Sequence, residues 1–152
     1  MRTFEDIKPL LQNVSHALTK YTIIDRMDFD FGVGVPLYPA EIHMLEAINR
    51  RNKIGVTELA KEFGITKGAV SQLVGKLVKK ELVVKEKDLE HKARVIIKPT
   101  KLGRKACKNH AEFHEKHDQA FFEYLRQLDD ESFNVALELS NHMNLWMDKY
   151  LK

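Results

Sequence analysis

The 152-residue sequence has a single cysteine, Cys107, so no disulfide can form within the chain and a reducing, cytoplasmic setting is expected. No apolar run approaches the roughly 20 residues that span a bilayer, so no membrane partner is expected. The opening residues, Met1-Arg2-Thr3-Phe4-Glu5-Asp6, lack the apolar core of a secretion signal, which predicts a chain that is not secreted. There is no glycine-rich loop to cradle a phosphate and no recognisable spacing of nucleophile and base, so an enzyme is not expected. Internal repeats and low-complexity tracts are also missing.

What is present is a globular composition, 43% hydrophobic and 31% charged, which supports a real core and excludes a wholly disordered chain. The net charge of +3 conceals an uneven distribution. Between Lys61 and Lys108 there are 14 Lys and Arg against 5 Asp and Glu, whereas the remainder has 11 against 17. One lysine-rich solvated helix face would not concentrate the whole excess in a third of the chain. A polyanion partner, whose counterions are released on binding, fits it better.

Near the N-terminus, apolar residues recur at Phe4, Ile7, Leu11, Val14, Leu18 and Tyr21. This three-and-four spacing makes a narrow seam on one helix, suited to packing against another helix. Gly32, Gly34 and Pro36 interrupt the pattern as a connector. Pro39 opens a second helix with buried positions Ile42, Leu45 and Ile48, and Arg50-Arg51 suit its C-terminus.

Ile54-Gly55-Val56 reads as a short extended piece, and Thr57 as the N-cap of a helix from Glu58 to Phe63. Gly64 supplies a sharp turn. Thr66 then caps a helix over about 67–80 whose inward face is Val70, Leu73, Val74 and Leu77. Two short helices joined by a glycine-bearing turn are the sequence form of a helix-turn-helix. Leu82-Val83-Val84 and Val95-Ile96-Ile97 flank the charged stretch 85–94 as a β-hairpin, which directly after a reading helix is a wing. The last third returns to helix, one over 101–126 and a second from Glu131 capped by Asp129 or Asp130. The expected fold is mainly α with a small β-wing.

A helix of this kind fits the major groove, and its exposed N-terminal half reaches base edges. Lys67, Ser71 and Gln72 are the candidates for base readout, and Gln72 can pair with adenine through two bonds. Thr66, Lys76 and Lys79 are placed for phosphates, and Gly68 keeps the helix thin at closest approach. On the wing, Lys85, Lys87, His91, Lys92 and Arg94 can enter a minor groove or touch phosphates. Asp88 is expected to pair with Lys92 or Arg94 across the hairpin.

The order of parts from about Leu37 to Arg104 resembles the MarR family of bacterial and archaeal regulators. The likeness rests on Leu37-Tyr38-Pro39-Ala40-Glu41, Val56-Thr57-Glu58-Leu59-Ala60 and Gly64-Ile65-Thr66-Lys67-Gly68-Ala69-Val70-Ser71, with Asp88, the basic residues after it and Thr100-x-x-Gly103-Arg104. The wing departs from the family pattern, reading His91-Lys92-Ala93 with Arg94 one place later. The resemblance implies a winged helix-turn-helix inside an intertwined helical homodimer, usually a repressor of a pseudo-palindromic double-stranded DNA operator. The corresponding division is 1–34 and 103–152 for dimerisation and 35–102 for DNA binding. Two-fold symmetry would space the reading helices about 34 Å apart, and an effector that favours one spacing would change affinity.

Effectors in such a family include oxidants, phenolic acids and metals. Cys107 reads as a helix-packing thiol, not a sensor. His110 and His114, four apart on one helix, share a face in the way a metal with two imidazole ligands requires, and Ala111 excludes a metalloprotease signature. The stretch resembles the zinc-responsive, adhesin-competence-repressor-like branch of the family. That resemblance implies His43 and Asp25 as the remaining zinc ligands and places Phe31 and Ile42 where a second metal would need donors. Two alternatives stand beside the Zn2+ effector. One is a small aromatic acid held between the helix-turn-helix and the dimer helices; the other is a winged helix that binds protein and not DNA.

Overall fold

The computed structural model describes residues 1–88 and 95–150, so the wing-tip candidates His91, Lys92 and Arg94 lie outside the described residues. The elements run α1 (Phe4–Ile24), β1 (Phe29–Asp30), β2 (Pro36–Leu37), α2 (Pro39–Arg51), α3 (Val56–Phe63), α4 (Lys67–Lys79), β3 (Val83–Lys87), β4 (Val95–Pro99), α5 (Lys101–His117), α6 (Gln119–Gln127) and α7 (Asp130–Met147). Among the described residues the chain is mainly helical with two small antiparallel hairpins, of which the second is the expected wing. It forms two compact units, Met1–Ala111 and Glu112–Lys152.

In the first unit the core gathers the inward residues of α2, α3, α4 and the wing. Leu37, Met44, Leu45, Ile48, Leu59, Val70, Val74, Leu77, Leu82 and Ile97 are fully buried. Each such side chain contributes roughly 1.5–3 kcal/mol on leaving water. Leu73, expected among them, is half-buried.

Two helices start by the same device. The Glu41 carboxylate accepts from the Tyr38 backbone N–H (3.0 Å), and that of Glu58 from Gly55 (2.8 Å). Because Glu58 reaches back three residues, Gly55 is the N-cap and α3 begins at Val56, two residues before the expected start. Gly64 then ends α3 in the left-handed region at φ 63°. The connector after α1 also holds structure that the glycines hid: β1 pairs with β2, and the Asp30 side chain accepts from Gly32 (2.8 Å) and Val33 (3.2 Å).

In the wing, β3 pairs with β4 from Val83↔Pro99 to Lys87↔Val95, so the strand runs on past the expected end at Val84. Ile54 bridges to Ile97, which adds the α2–α3 connection to the sheet edge. The last helical segment bends at Asp118, splitting the expected single helix into α5 and α6. Asp129 caps α7, its Oδ1 accepting from Ser132 N (2.7 Å), one of the two aspartates expected there.

Gly103 is fixed by a close approach. A Cβ there would stand 2.1 Å from the Leu82 carbonyl oxygen and 3.2 Å from Leu45 Cδ1. Thr100 locks the same junction, donating its hydroxyl to Glu81 O (2.8 Å) and accepting from Gly103 N (3.0 Å). The Thr100-x-x-Gly103 pattern is therefore the seat of α5 on the base of the wing. Gly103→Ala forces these backbones apart and is expected to cost about 1–3 kcal/mol, read as a lowered thermal midpoint. An unchanged midpoint would show that α5 does not bear on Leu82.

Candidate nucleic-acid interface and histidine cluster

Thr66 begins α4 in extended backbone, its hydroxyl accepting from Ala69 N (3.1 Å). From that start Val70, Val74 and Leu77 turn inward while Lys67, Gly68, Ser71, Gln72, Lys76 and Lys79 are exposed on the remaining face. Among the described residues, no packing demands glycine on this helix. A Cβ at Gly75 would meet nothing within 4 Å, and one at Gly68 would be 3.8 Å from Thr66 Oγ1.

The far end of α4 is held by a charge pair between a half-buried lysine and a buried carboxylate. The Lys80 ammonium donates to Glu41 Oε2 (2.6 Å) and to the Pro36 carbonyl (2.7 Å), and lies 5.9 Å from the centre of the Tyr38 ring. Glu41 is 1% exposed. Nothing in the sequence pattern singled out this pair, since its partners stand 39 residues apart.

On β3, Lys85 and Lys87 are exposed, and Glu86 pairs across the hairpin with Lys98 (2.6 Å). Asp88 is 2% exposed and its Oδ1 is 3.3 Å from Lys53 Nζ. Its expected partners Lys92 and Arg94 lie outside the described residues. The Lys53 contact ties the wing to the turn after α2, where Arg50 and Arg51 pair with Glu62 of α3.

The histidines form a second group. His110 is 5% exposed, with its ring centre 5.6 Å from that of His43 and 4.9 Å, edge-on, from that of Phe31. His114 follows one turn later on the same helix. Each of the three offers a ligand nitrogen, and these nitrogens lie within 4.8 Å of one another. Asp25 is not in this group among the described residues; it is the exposed C-cap of α1, its N–H bonded to Tyr21 O (2.8 Å). Phe31 is buried as a wall for His110, its carbonyl accepting from Asn109 Nδ2 (2.5 Å), and Ile42 belongs to the core.

Sequence reasoning missed the carboxylates beside these imidazoles. Glu46 Oε1 is 2.6 Å from His110 Nδ1, and Asp118 Oδ2 is 2.5 Å from His114 Nδ1. Glu46 lies three residues beyond His43, on the adjoining turn of α2, and Asp118 four beyond His114, so helical spacing was a usable signal.

A helix, a glycine turn, a second helix bare on one face and a β-hairpin define a winged helix-turn-helix. Residues 36–94 match the model of the MarR family. The chain is 25% identical over 104 residues to the HTH-type transcriptional regulator PchR of Bacillus subtilis, a match covering 68% of this chain and 62% of that protein. This chain therefore spans less than two thirds of that relative's length. The fold is also similar to the adhesin competence repressor AdcR of Streptococcus pyogenes, with TM-score 0.69 and 19% identity over 96% of this chain and 98% of that one. It is similar to the zinc-responsive MarR family member ZitR of Lactococcus lactis, with TM-score 0.66 and 18% identity over 95% and 99%. FabT of Streptococcus pneumoniae, solved in complex with DNA, gives TM-score 0.66 and 16% identity over 97% and 99%.

Cys107 is buried in α5, and burial, then the nearby Glu46 charge, pushes its thiol up from 9.0 to about 11. The folded thiol holds its proton more tightly than the unfolded one. Its contribution to stability is therefore complete below pH 9 and is lost as pH rises through about 11. Cys107→Ala should flatten part of the alkaline fall in stability measured by urea unfolding over that window. An identical slope in both proteins would contradict it.

Proposed function

We propose that this chain is a transcriptional regulator that reads double-stranded DNA with α4 and steadies it with the wing. The observation that carries this reading is the division of α4. Val70, Val74 and Leu77 are wholly buried, while the exposed face is cationic, polar and small, with glycines that no contact among the described residues requires. Lys67, Ser71 and Gln72 then read bases, with Gly68 permitting close approach. Thr66, Lys76 and Lys79 hold phosphates, as do Lys85, Lys87, His91, Lys92 and Arg94 of the wing. The relatives are regulators and the chain is not an enzyme.

The active form in this reading is a homodimer. No residue of α1, α6 or α7 is buried, although Phe4, Leu11, Leu18, Tyr21, Phe121 and Trp146 project from them. Apolar surface on this scale needs a cover, and a second copy supplies it through the segments 1–34 and 103–152. The operator is then a pseudo-palindrome and the protein a cytoplasmic repressor. Among the described residues no helix is long and apolar enough to cross a membrane.

The histidine group supports Zn2+ as the effector. Nitrogens around tetrahedral zinc stand roughly 3.4 Å apart, so rotation of the His43, His110 and His114 side chains from a spread of 4.8 Å closes a site. Zinc bound there would join α2 to α5. Asp25 would become the fourth ligand only by moving from its place at the end of α1.

Anisotropy titrations on duplexes enriched from a random library test the DNA reading. Affinity should fall steeply with salt, by about 10³-fold or more between 50 and 200 mM for six or more phosphate contacts. Gln72→Ala should narrow the gap between enriched and scrambled duplexes, and Lys87→Ala should weaken both alike. Weak, salt-independent binding would instead favour a protein-interaction module. Zinc titration with metal analysis tests the effector: a His110→Ala/His114→Ala variant should lose zinc and its effect on DNA affinity. Equal zinc and DNA binding in that variant and the wild type would end the metal reading.

A further inference from the structure

Three imidazoles that meet are not yet a metal site, because each ring has two nitrogens and must present the right one. The structure shows what could settle this at two of the three. An ionised carboxylate only accepts, so the 2.6 Å contact of Glu46 with His110 Nδ1 and the 2.5 Å contact of Asp118 with His114 Nδ1 require those Nδ1 atoms to carry the proton. The lone pair of each ring is then on Nε2. We propose that Glu46 and Asp118 are positioning residues, outer carboxylates that fix His110 and His114 with Nε2 turned to a divalent cation. This rests on the zinc reading above and adds to it the residues that prepare the site.

A second observation singles out Asp118. It occupies the N-cap of α6, a position where aspartate ordinarily bonds the amides of the first turn, worth about 1 kcal/mol. Its side chain makes no such bond. Asp129, the same residue at the start of the next helix, does cap, with Oδ1 on Ser132 N at 2.7 Å. The Asp118 carboxylate is thus withdrawn from α6 and given to His114. The Glu46 carboxylate likewise faces a ring that is 5% exposed.

The balance of charge also suits the role. Three neutral imidazoles leave a bound dication its full charge, and two carboxylates one imidazole away offset it while strengthening the rings as donors. Binding at Nε2 acidifies Nδ1–H and tightens both outer bonds. At Asp118 that tightening acts on the bend between α5 and α6, so metal occupancy and the stiffness of that corner are linked.

The test uses the full-length dimer and three variants. Glu46→Met removes the acceptor, Glu46→Gln keeps an acceptor oxygen without charge, and Asp118→Ser keeps a residue able to cap α6. In metal-free wild type, long-range proton–nitrogen NMR should show His110 and His114 protonated at Nδ1, and that preference should be lost for the affected ring in Glu46→Met and Asp118→Ser. Zinc affinity, read by competition with a chromophoric chelator, should fall about 10–100-fold in both, with an intermediate loss in Glu46→Gln. The visible spectrum of the cobalt-substituted protein should shift, while the thermal midpoint of metal-free Asp118→Ser does not drop. Zinc affinities within twofold of wild type, or Nε2-protonated rings in wild type, would overturn the proposal. Failure of the wild type to bind zinc or cobalt, with the tautomers as stated, would instead overturn the zinc reading, leaving the carboxylates as structural partners.

Discussion

The end of α4 depends on a charge that water scarcely reaches. Glu41, 1% exposed, begins α2 by accepting from Tyr38 N and meets Lys80 just past the end of α4. A carboxylate so placed is tolerated only when paired and hydrogen-bonded, and both conditions are met by groups that must keep their positions. One contact therefore sets the start of one helix, the stop of another and the path of the chain at Pro36. With that end fixed and Val70, Val74 and Leu77 buried, the outer face of α4 does not contribute to the core. That is why small and polar residues can occupy it without disturbing the packing beneath, at the helix-propensity cost of about 1 kcal/mol per glycine.

The base of the wing is held with comparable economy of space. Gly103 lets α5 come down on the Leu82 carbonyl, Thr100 takes up the hydrogen bonds at the junction, and Arg104 donates to Asn52 Oδ1 at the end of α2 (3.0 Å). Lys53 and Asp88 add a pairing on the same turn. The connection between α2 and α3 is thus fastened to the sheet, through the Ile54–Ile97 bridge, and to the helix that follows it.

Much of this was legible in the sequence because it is local. Thr66 before a periodic run, Gly64 between two short helices and Asp129 ahead of α7 each act within four residues, and each is where the residue type predicts. The errors arose where a side chain reached further or the other way. Glu58 looks backward to Gly55, so reading Thr57 as the cap placed the start of α3 two residues late. β3 extends to Lys87 because pairing with β4, not its own composition, decides where a strand ends. The break at Asp118 left no glycine or proline to mark it. Among the site residues, the pair His110 and His114 was visible as a helical spacing, His43 came only through resemblance, and the carboxylates were missed because helix-spaced acidic residues usually face solvent.

The placement of these groups on α2 bears on how an effector could be felt at the DNA. Glu41, His43 and Glu46 lie within six residues of one helix: the first anchors Lys80 at the end of α4, the second belongs to the histidine group and the third contacts His110. A rigid helix cannot yield at one of these positions without moving the others. In the proposed reading, a cation drawn between α2 and α5 would act on the element to which α4 is clamped, with no intervening loop to absorb the strain. Such a ligand changes DNA affinity only so far as it binds one position of α2 better than another. On the zinc reading, the rotation the imidazoles would need before sharing an ion is where that difference would arise.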